Sequence, residues 1–372
     1  MTNRLAEARC VVIKIGSALL VDAKNAELRH HWLNTVCEDI ARLRAQGTDV
    51  VVVSSGAIAL ARVRLGLVGR RLRLDEKQAA ASVGQIQLAQ AWSAALALQQ
   101  LTAGQLLLTP GDTEDRERHL NARATLRTLL GLGCVPVINE NDAIATTEIR
   151  FGDNDRLAAR VAQMIGADTL VLLSDIDGLY TADPRLDPTA EHLAEVDALT
   201  ESIMAMGGAP PPGYSSGGMH TKLLAAQIAT RAGARMAIAS GLSSHPVSAL
   251  LETGRCTWFL ASEDAGSARK RWLAGALQTK GCVIVDQGAA RALLNGSSLL
   301  PAGVKEVAGG FAQGDLVVIL DEEGHEIGRG LTAYDAEDSR KIAGRRSEDI
   351  TRCLGHSGRD ELIHRDDLVL IR

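Results

Sequence analysis

A mostly parallel β-sheet packed between two layers of helices, followed by a smaller β domain, is the fold class this sequence predicts. Three observations lead there. Short runs that are apolar throughout alternate with helical segments over the first two-thirds of the chain, and such runs suit strands covered on both faces. Several of them end on a polar, glycine-bearing cluster, at the carboxyl end of a strand where the ligand loops of α/β sheets lie. After about residue 265 the pattern changes to short strands broken by glycine. The chain has 372 residues, more than one core usually serves, so domains are expected at 1–262 and 269–372.

The elements follow in order. Residues 10–15, Cys-Val-Val-Ile-Lys-Ile, read as a buried strand, 28–45 as a helix and 49–54 as a second strand running into another helix start. The Ala-, Gln- and Leu-rich stretch 75–100 predicts a long helix, and 106–108 and 135–138 predict strands. A small β excursion is expected at 143–151, a helix at 154–165, and an apolar strand at 169–173. Residues 207–218 are dense in Gly, Pro and Ser and predict a long loop, before a helix at 219–232 and a strand at 235–239. A small polar linker spans 261–267, and a short helix is expected at 269–277. Strands then fall at 283–286, 317–319, 327–331 and 368–371, with Asp321-Glu322-Glu323-Gly324-His325 as a hairpin turn.

Composition excludes several classes. A formal charge of −5 argues against a general polyanion binder. No apolar run reaches membrane-spanning length, and the start lacks the basic-then-apolar layout of a signal peptide. The six cysteines lie far apart, with no zinc-like pair and no small disulfide scaffold. A cytoplasmic protein is the simple reading. Aromatics make up only 3 % of the chain, so Ala, Leu, Val and Ile must build the cores.

Four polar clusters carry the chemistry: Lys14-Ile15-Gly16-Ser17, Ser54-Ser55-Gly56, Gly152-Asp153-Asn154-Asp155 and Gly217-Gly218-Met219-His220-Thr221-Lys222. Lys14 lies late in a buried strand, where an ammonium is costly unless paired, and its exit would bring it to a phosphoryl group. A snorkelling lysine at a domain edge is the rival reading of that fragment. Gly217 and Gly218 expose backbone N–H groups at a helix start that favours anions, with Lys222 to neutralise a β- or γ-phosphate. An ordinary loop-to-helix join is the alternative there. Ser174 and Asp175 close an apolar strand, and Tyr180 would lie against an adenine. The P-loop spacing and the protein-kinase motifs are absent. Asn139-Glu140-Asn141-Asp142 ends another strand. Such clusters are also good turns, but an amino acid substrate would use them, its ammonium on Asp142 and its carboxylate on Asn154 and backbone N–H groups. The whole is the equipment of a small-molecule kinase.

The motifs Val12-Ile13-Lys14-Ile15-Gly16-Ser17, Val53-Ser54-Ser55-Gly56-Ala57-Ile58, Asn139-Glu140-Asn141-Asp142 and Phe151-Gly152-Asp153-Asn154-Asp155 together resemble those of the bacterial glutamate 5-kinases, in the amino acid kinase superfamily. Ser174-Asp175, Gly178-Leu179-Tyr180-Thr181-Ala182-Asp183-Pro184 and Ser216-Gly217-Gly218-Met219-His220-Thr221-Lys222 extend the likeness. The C-terminal part resembles a PUA domain, small and β-barrel-like, through 270–275, 296–304 and His364-Arg365-Asp366-Asp367. Two positions depart from the pattern: Ser215, where a glycine is expected, and Cys256.

The resemblance implies ATP- and Mg²⁺-dependent phosphorylation of the γ-carboxylate of L-glutamate, the first step of proline synthesis. It implies nucleotide and phosphoryl contacts from Lys14, Gly16, Ser174, Asp175, Tyr180 and the 216–222 segment (Ser216, Gly217, Gly218, Met219, His220, Thr221, Lys222). Ser54, Gly56, Asp142 and Asn154 would hold glutamate. Lys14 and Lys222 are the expected catalytic cations, with Asp155 orienting one of them, and Mg²⁺ would be held mainly by phosphate and water, with little protein ligation. Feedback inhibition by L-proline, assembly into a dimer or tetramer and passage of the product to glutamyl phosphate reductase are also implied. A kinase for aspartate or N-acetylglutamate, or a non-catalytic RNA-binding or sensor protein, are the alternatives. RNA is disfavoured because 269–372 holds 15 Lys/Arg against 16 Asp/Glu.

Overall fold

The computed structural model describes residues 4–22, 27–70, 72–144, 154–208, 218–261, 279–356 and 358–370. The chain separates into two compact units, Met1–Ala265 and Gly266–Arg372.

In the first unit the strands are β1 (Cys10–Ile15), β2 (Asp49–Ser54), β3 (Ala103–Leu108), β4 (Val135–Glu140), β5 (Thr169–Ser174), β6 (Leu179–Tyr180), β7 (His192–Leu193), β8 (Glu195–Val196), β9 (Arg235–Ser240) and β10 (Cys256–Phe259). Among the described residues eight of them form one sheet in the order β3-β4-β2-β1-β5-β9-β10-β8, while β6 and β7 pair separately. All neighbours from β3 to β9 run parallel, and β10 alone lies antiparallel to β9. The carboxyl ends of β1, β2, β4 and β5 therefore open on the same edge.

The helices are α1 (Ser17–Leu20), α2 (His30–Ala45), α3 (Ala57–Arg64), α4 (Leu74–Ala97), α5 (Pro110–Glu114), α6 (Arg116–Gly131), α7 (Asn154–Ile165), α8 (Glu201–Ala205), α9 (Met219–Arg231) and α10 (Pro246–Thr253). They cover both faces of the sheet. Val11, Ile13 and Ile15 of β1 enter a core with Leu33 and Ile40 of α2 and Leu88 and Trp92 of α4. Val12, one residue out of phase, enters a second core with Leu157 and Val161 of α7 and Leu223 and Ala226 of α9. Strand side chains alternate between faces, so Lys14 shares the face of Val12 and points towards α7 and α9. Gly84 lets α4 close against α3, since a Cβ there would stand 1.7 Å from the carbonyl oxygen of Ala57.

Most sequence-derived elements match within a few residues. The apolar strand 256–259 and the helices 116–131 and 246–253 escaped the sequence reading. The expected excursion at 143–151, the loop at 207–218, the linker at 261–267 and the helix at 269–277 lie wholly or mostly outside the described residues.

The second unit has its own core, in which Val283, Ile319, Phe311 and Leu362 are buried. Its strands β11 (Gly281–Val285), β12 (Val304–Gly309), β13 (Leu316–Leu320), β14 (Glu326–Leu331) and β15 (Leu368–Leu370) form one sheet in the order β12-β11-β13-β14-β15. The 321–325 hairpin turn is present. Asp321 N–H donates to the carbonyl of His325 at 3.0 Å, and the Asp321 carboxylate accepts from the N–H groups of Glu323 and His325.

Candidate active site

Three charged side chains from distant parts of the sequence meet below the carboxyl edge of the sheet. Asp155, the second residue of α7, is fully buried, and Lys14 of β1 and Lys222 of α9 are 6 % and 8 % exposed. One Asp155 oxygen, Oδ1, takes the Lys14 ammonium and the other, Oδ2, takes the Lys222 ammonium at 3.1 Å. Burial opposes ionisation of the Asp155 carboxyl, yet the two ammonium groups and their hydrogen bonds outweigh it and hold the carboxyl below its ordinary range. Two cations on one carboxylate leave this trio with one net positive charge, below the carboxyl edge of the sheet.

The surroundings fit this placement. Gly16 has an ordinary extended backbone and lies beside the Lys14 ammonium: a Cβ there would be 3.8 Å from Lys14 Nζ, an ordinary contact. Gly218 starts α9 with extended φ and ψ, and its N–H donates to Thr221 Oγ1 at 3.1 Å. That hydroxyl lies 3.2 Å from Asp155 Oδ2, which ties the start of α9 to the trio. Met219 and His220, in the same first turn, are half-buried. Ser174 ends β5 nearly buried, its hydroxyl 3.1 Å from Asp175 Oδ1, while Asp175 is exposed and 3.9 Å from Arg185. Tyr180 donates to Asp177 at 2.9 Å, accepts from Arg255 at 3.2 Å and meets His192 edge-on. Ser216 and Gly217 of the expected nucleotide segment, with Ser215, fall outside the described residues, as do Gly152 and Asp153.

On the other side of the trio lies a neutral network. Asn154, the first residue of α7, directs Nδ2 at the Ser54 carbonyl (3.3 Å), Ser55 Oγ (2.6 Å) and Asn139 Oδ1 (2.9 Å). Among the described residues nothing bonds its Oδ1, so Asn154 presents an acceptor rather than the donor expected for a carboxylate. Asn139 Oδ1 also accepts from the Glu140 N–H at 2.9 Å, and Asn139 Nδ2 donates to Gln85 Oε1 at 2.8 Å. Ser54 is fully buried and its Oγ accepts from Trp92 Nε1 at 2.9 Å. Gly56 turns the chain from β2 into α3 at φ 122°, a left-handed value that glycine alone adopts readily. Asp142 is half-buried in the turn after β4.

The structure thus brings together the three charged residues that the sequence singled out, and sets Asn154 beside Ser54 and Ser55. The sequence reading missed the parts played by Gln85, Trp92 and Asn139. The available signal was a tryptophan and a glutamine seven apart on an Ala-rich helix, in phase with the buried Leu88.

Known proteins share this organisation. The amino acid kinase family matches residues 9–240, and the PUA domain matches 281–354. A protein of Gluconobacter oxydans (strain 621H) named glutamate 5-kinase is 70 % identical over 367 residues, covering 99 % of this chain and 97 % of its own length. The glutamate 5-kinase of Paramagnetospirillum magneticum is 58 % identical over 98 % of this chain and 99 % of its own length. The glutamate 5-kinase 1 of Rhizobium meliloti is 57 % identical over 97 % and 92 %.

Proposed function

Because this chain belongs to the glutamate 5-kinases of the amino acid kinase family, we propose how its side chains divide the transfer of the ATP γ-phosphoryl group to the γ-carboxylate of L-glutamate. The observation that carries the division is the buried Asp155 shared by Lys14 and Lys222.

A carboxylate oxygen is already a nucleophile, so the reaction needs no strong base. Its obstacle is the meeting of two anions, and preorganised positive charge stabilises the transferring group most. Lys14 serves the transferring phosphoryl oxygens and Lys222 the β/γ bridge, while Asp155 is a positioning residue that fixes both ammonium groups. Ser174, Asp175, Gly16 and the Gly218–Thr221 turn border the nucleotide, and Tyr180 flanks its base. Mg²⁺ would neutralise phosphate charge, held by phosphate oxygens and water. Asp155 is committed to the two lysines, which leaves the metal to arrive with the nucleotide. Asp175, exposed at the strand end, is the carboxylate with oxygen to offer it.

Glutamate is gripped by its two poles. Asp142 and the Oδ1 of Asn154 take the ammonium, and the backbone N–H groups of Gly56 and of the start of α3 take the α-carboxylate, since the Ser55 N–H already donates to the Ile15 carbonyl. L-Proline carries the same two poles and would compete there. Assembly through the kinase unit belongs to the same proposal. A groove of about 800 Å³ at α3 and α4 mixes apolar Leu28, Leu60 and Val63 with polar His30, Arg64 and Gln87, a surface on which a second copy could dock. The C-terminal unit has a regulatory or structural role.

The test measures ADP release with glutamate, aspartate and N-acetylglutamate in parallel, with hydroxylamine trapping of the acyl phosphate. Glutamate alone should give rapid ADP release and a trapped hydroxamate. Equal rates with N-acetylglutamate would overturn the ammonium-binding half of the reading.

A further inference from the structure

We propose that Gln85 and Trp92 of α4 are positioning residues that set the orientation of the side chains holding glutamate, and with it the demand for a free ammonium. The inference rests on the reading that Ser54 and Asn154 hold the acceptor.

Backbone groups fix the polarity of the chain of amides. The N–H of Glu140 can only donate, so the atom of Asn139 facing it is Oδ1. Asn139 Nδ2 must then face α4, where Gln85 Oε1 accepts it at 2.8 Å. The Ser54 carbonyl can only accept, so the atom of Asn154 facing it is Nδ2. The same Nδ2 group reaches Asn139 Oδ1. Both amide hydrogens of Asn154 are thereby committed to protein, and Oδ1 is left for a cationic ligand group. Gln85 is the remote end of this chain. Without its acceptor, Asn139 keeps the two bonds at Oδ1 and loses the one that holds Nδ2.

Trp92 acts on the neighbouring holder. Its indole N–H is a donor only, and it claims a lone pair of the Ser54 hydroxyl inside the protein. Packing does not replace these bonds. A cavity of about 160 Å³ lies against both residues, and Ser54, Gln85, Trp92 and Asn139 all line it. With free volume beside them, the rotamers of Asn139 and Ser54 are held by hydrogen bonds rather than by close contact. Neither Gln85 nor Trp92 bonds any of the charged trio, so their influence should be confined to the acceptor.

The experiment compares steady-state kinetics of the full chain with Gln85→Met, Gln85→Glu, Trp92→Phe and Asn154→Ala, each checked by its melting temperature. Gln85→Met keeps the length and removes the acceptor. It should raise the KM for glutamate about fivefold, the scale of one lost hydrogen bond, leave the KM for ATP unchanged, and narrow the preference for glutamate over N-acetylglutamate. Gln85→Glu restores an acceptor and should return the glutamate KM to within about twofold of the parent. Trp92→Phe should raise the same KM by a similar factor. An unchanged glutamate KM in Gln85→Met, a parallel rise in the ATP KM, or no rescue by Gln85→Glu would overturn the inference. Asn154→Ala separates the two levels. If it also leaves the glutamate KM untouched, the reading of the acceptor site falls. If it raises that KM while Gln85→Met does not, only the role of α4 falls.

Discussion

The two halves of the proposed active site are built on opposite physical principles. The phosphoryl half is ionic and buried: one carboxylate inside the protein holds two ammonium groups. The acceptor half rests on a neutral network, with the Asp142 carboxylate in the turn after β4: amides, hydroxyls and backbone groups bond one another from α4 to α7. The difference follows from what each half must meet. A transferring phosphoryl group carries spread-out negative charge that fixed cations stabilise without reorganising. A free amino acid carries both signs within a few atoms, and an excess of either charge would repel one pole. Asp155 and Asn154 are adjacent at the start of α7, so a single helix start serves both halves.

The comparison is broken most directly at Asp155. Replacing it by Asn leaves Lys14 and Lys222 buried without their counter-ion, and breaking a buried pair in this way costs about 3–5 kcal/mol. Asp155→Asn should therefore lower the melting temperature and reduce turnover by about 10²-fold or more. Lys14→Ala should cost turnover on the same scale, about 10²–10³-fold, with little change in the KM for glutamate, because its contact strengthens as charge develops. Single-turnover rates with saturating substrates read both effects. Normal turnover in Lys14→Ala would remove the ionic half from the mechanism.

A smaller effect sharpens the same contrast. Asp155 has its carboxyl held below the ordinary value of 3.8, against burial and by the two lysines. A depressed folded-state pKa contributes stability that is present above the unfolded value and lost as pH falls through the folded one. The advantage of the parent over Asp155→Asn in urea unfolding should thus stay constant from about pH 7 to about pH 5 and shrink only in more acid solution. An advantage that had already vanished near pH 5 would mean that the trio does not hold the carboxylate ionised.

The charged half was more legible in the sequence than the neutral half, for a physical reason. A lysine inside an apolar strand is conspicuous because burial without a partner is costly. Strand alternation then fixes which face Lys14 occupies, and α7 and α9 cover that face. Asp155 announced itself beside a helix start. The neutral network gave no comparable signal. Gln85 sits on a helix whose exposed positions are also polar, so its bond to Asn139 depends on how closely α4 approaches β4. Its neighbour Gly84 packs α4 against α3, where the backbone of Ala57 fills the place of a side chain. The direction in which Asn154 faces was likewise hidden, since an amide offers either end until its neighbours are placed. Cys256 stood out as a departure from the family pattern. Its side chain is buried in the first core at the start of the antiparallel strand β10, opposite Ala239, where a small apolar group packs well.

The smallest expected effect lies at the exposed charges beside Tyr180. Arg255 donates to Asp177 at 2.8 Å and approaches the Tyr180 hydroxyl, but its side chain is 54 % exposed. Partial burial works against ionisation of Asp177, and the bonds from Arg255 and Tyr180 outweigh it to hold the carboxyl below its ordinary range. Water screens such a pair, so it contributes about 0–1 kcal/mol, far less than the buried trio. Arg255→Ala should therefore shift the melting temperature by a few degrees at most and change the KM for ATP by less than about fivefold, the equivalent of that energy. A tenfold rise in the ATP KM would mean that the Arg255–Asp177–Tyr180 cluster grips the nucleotide directly. The division between a buried ionic centre and a weakly coupled surface would then have been drawn in the wrong place.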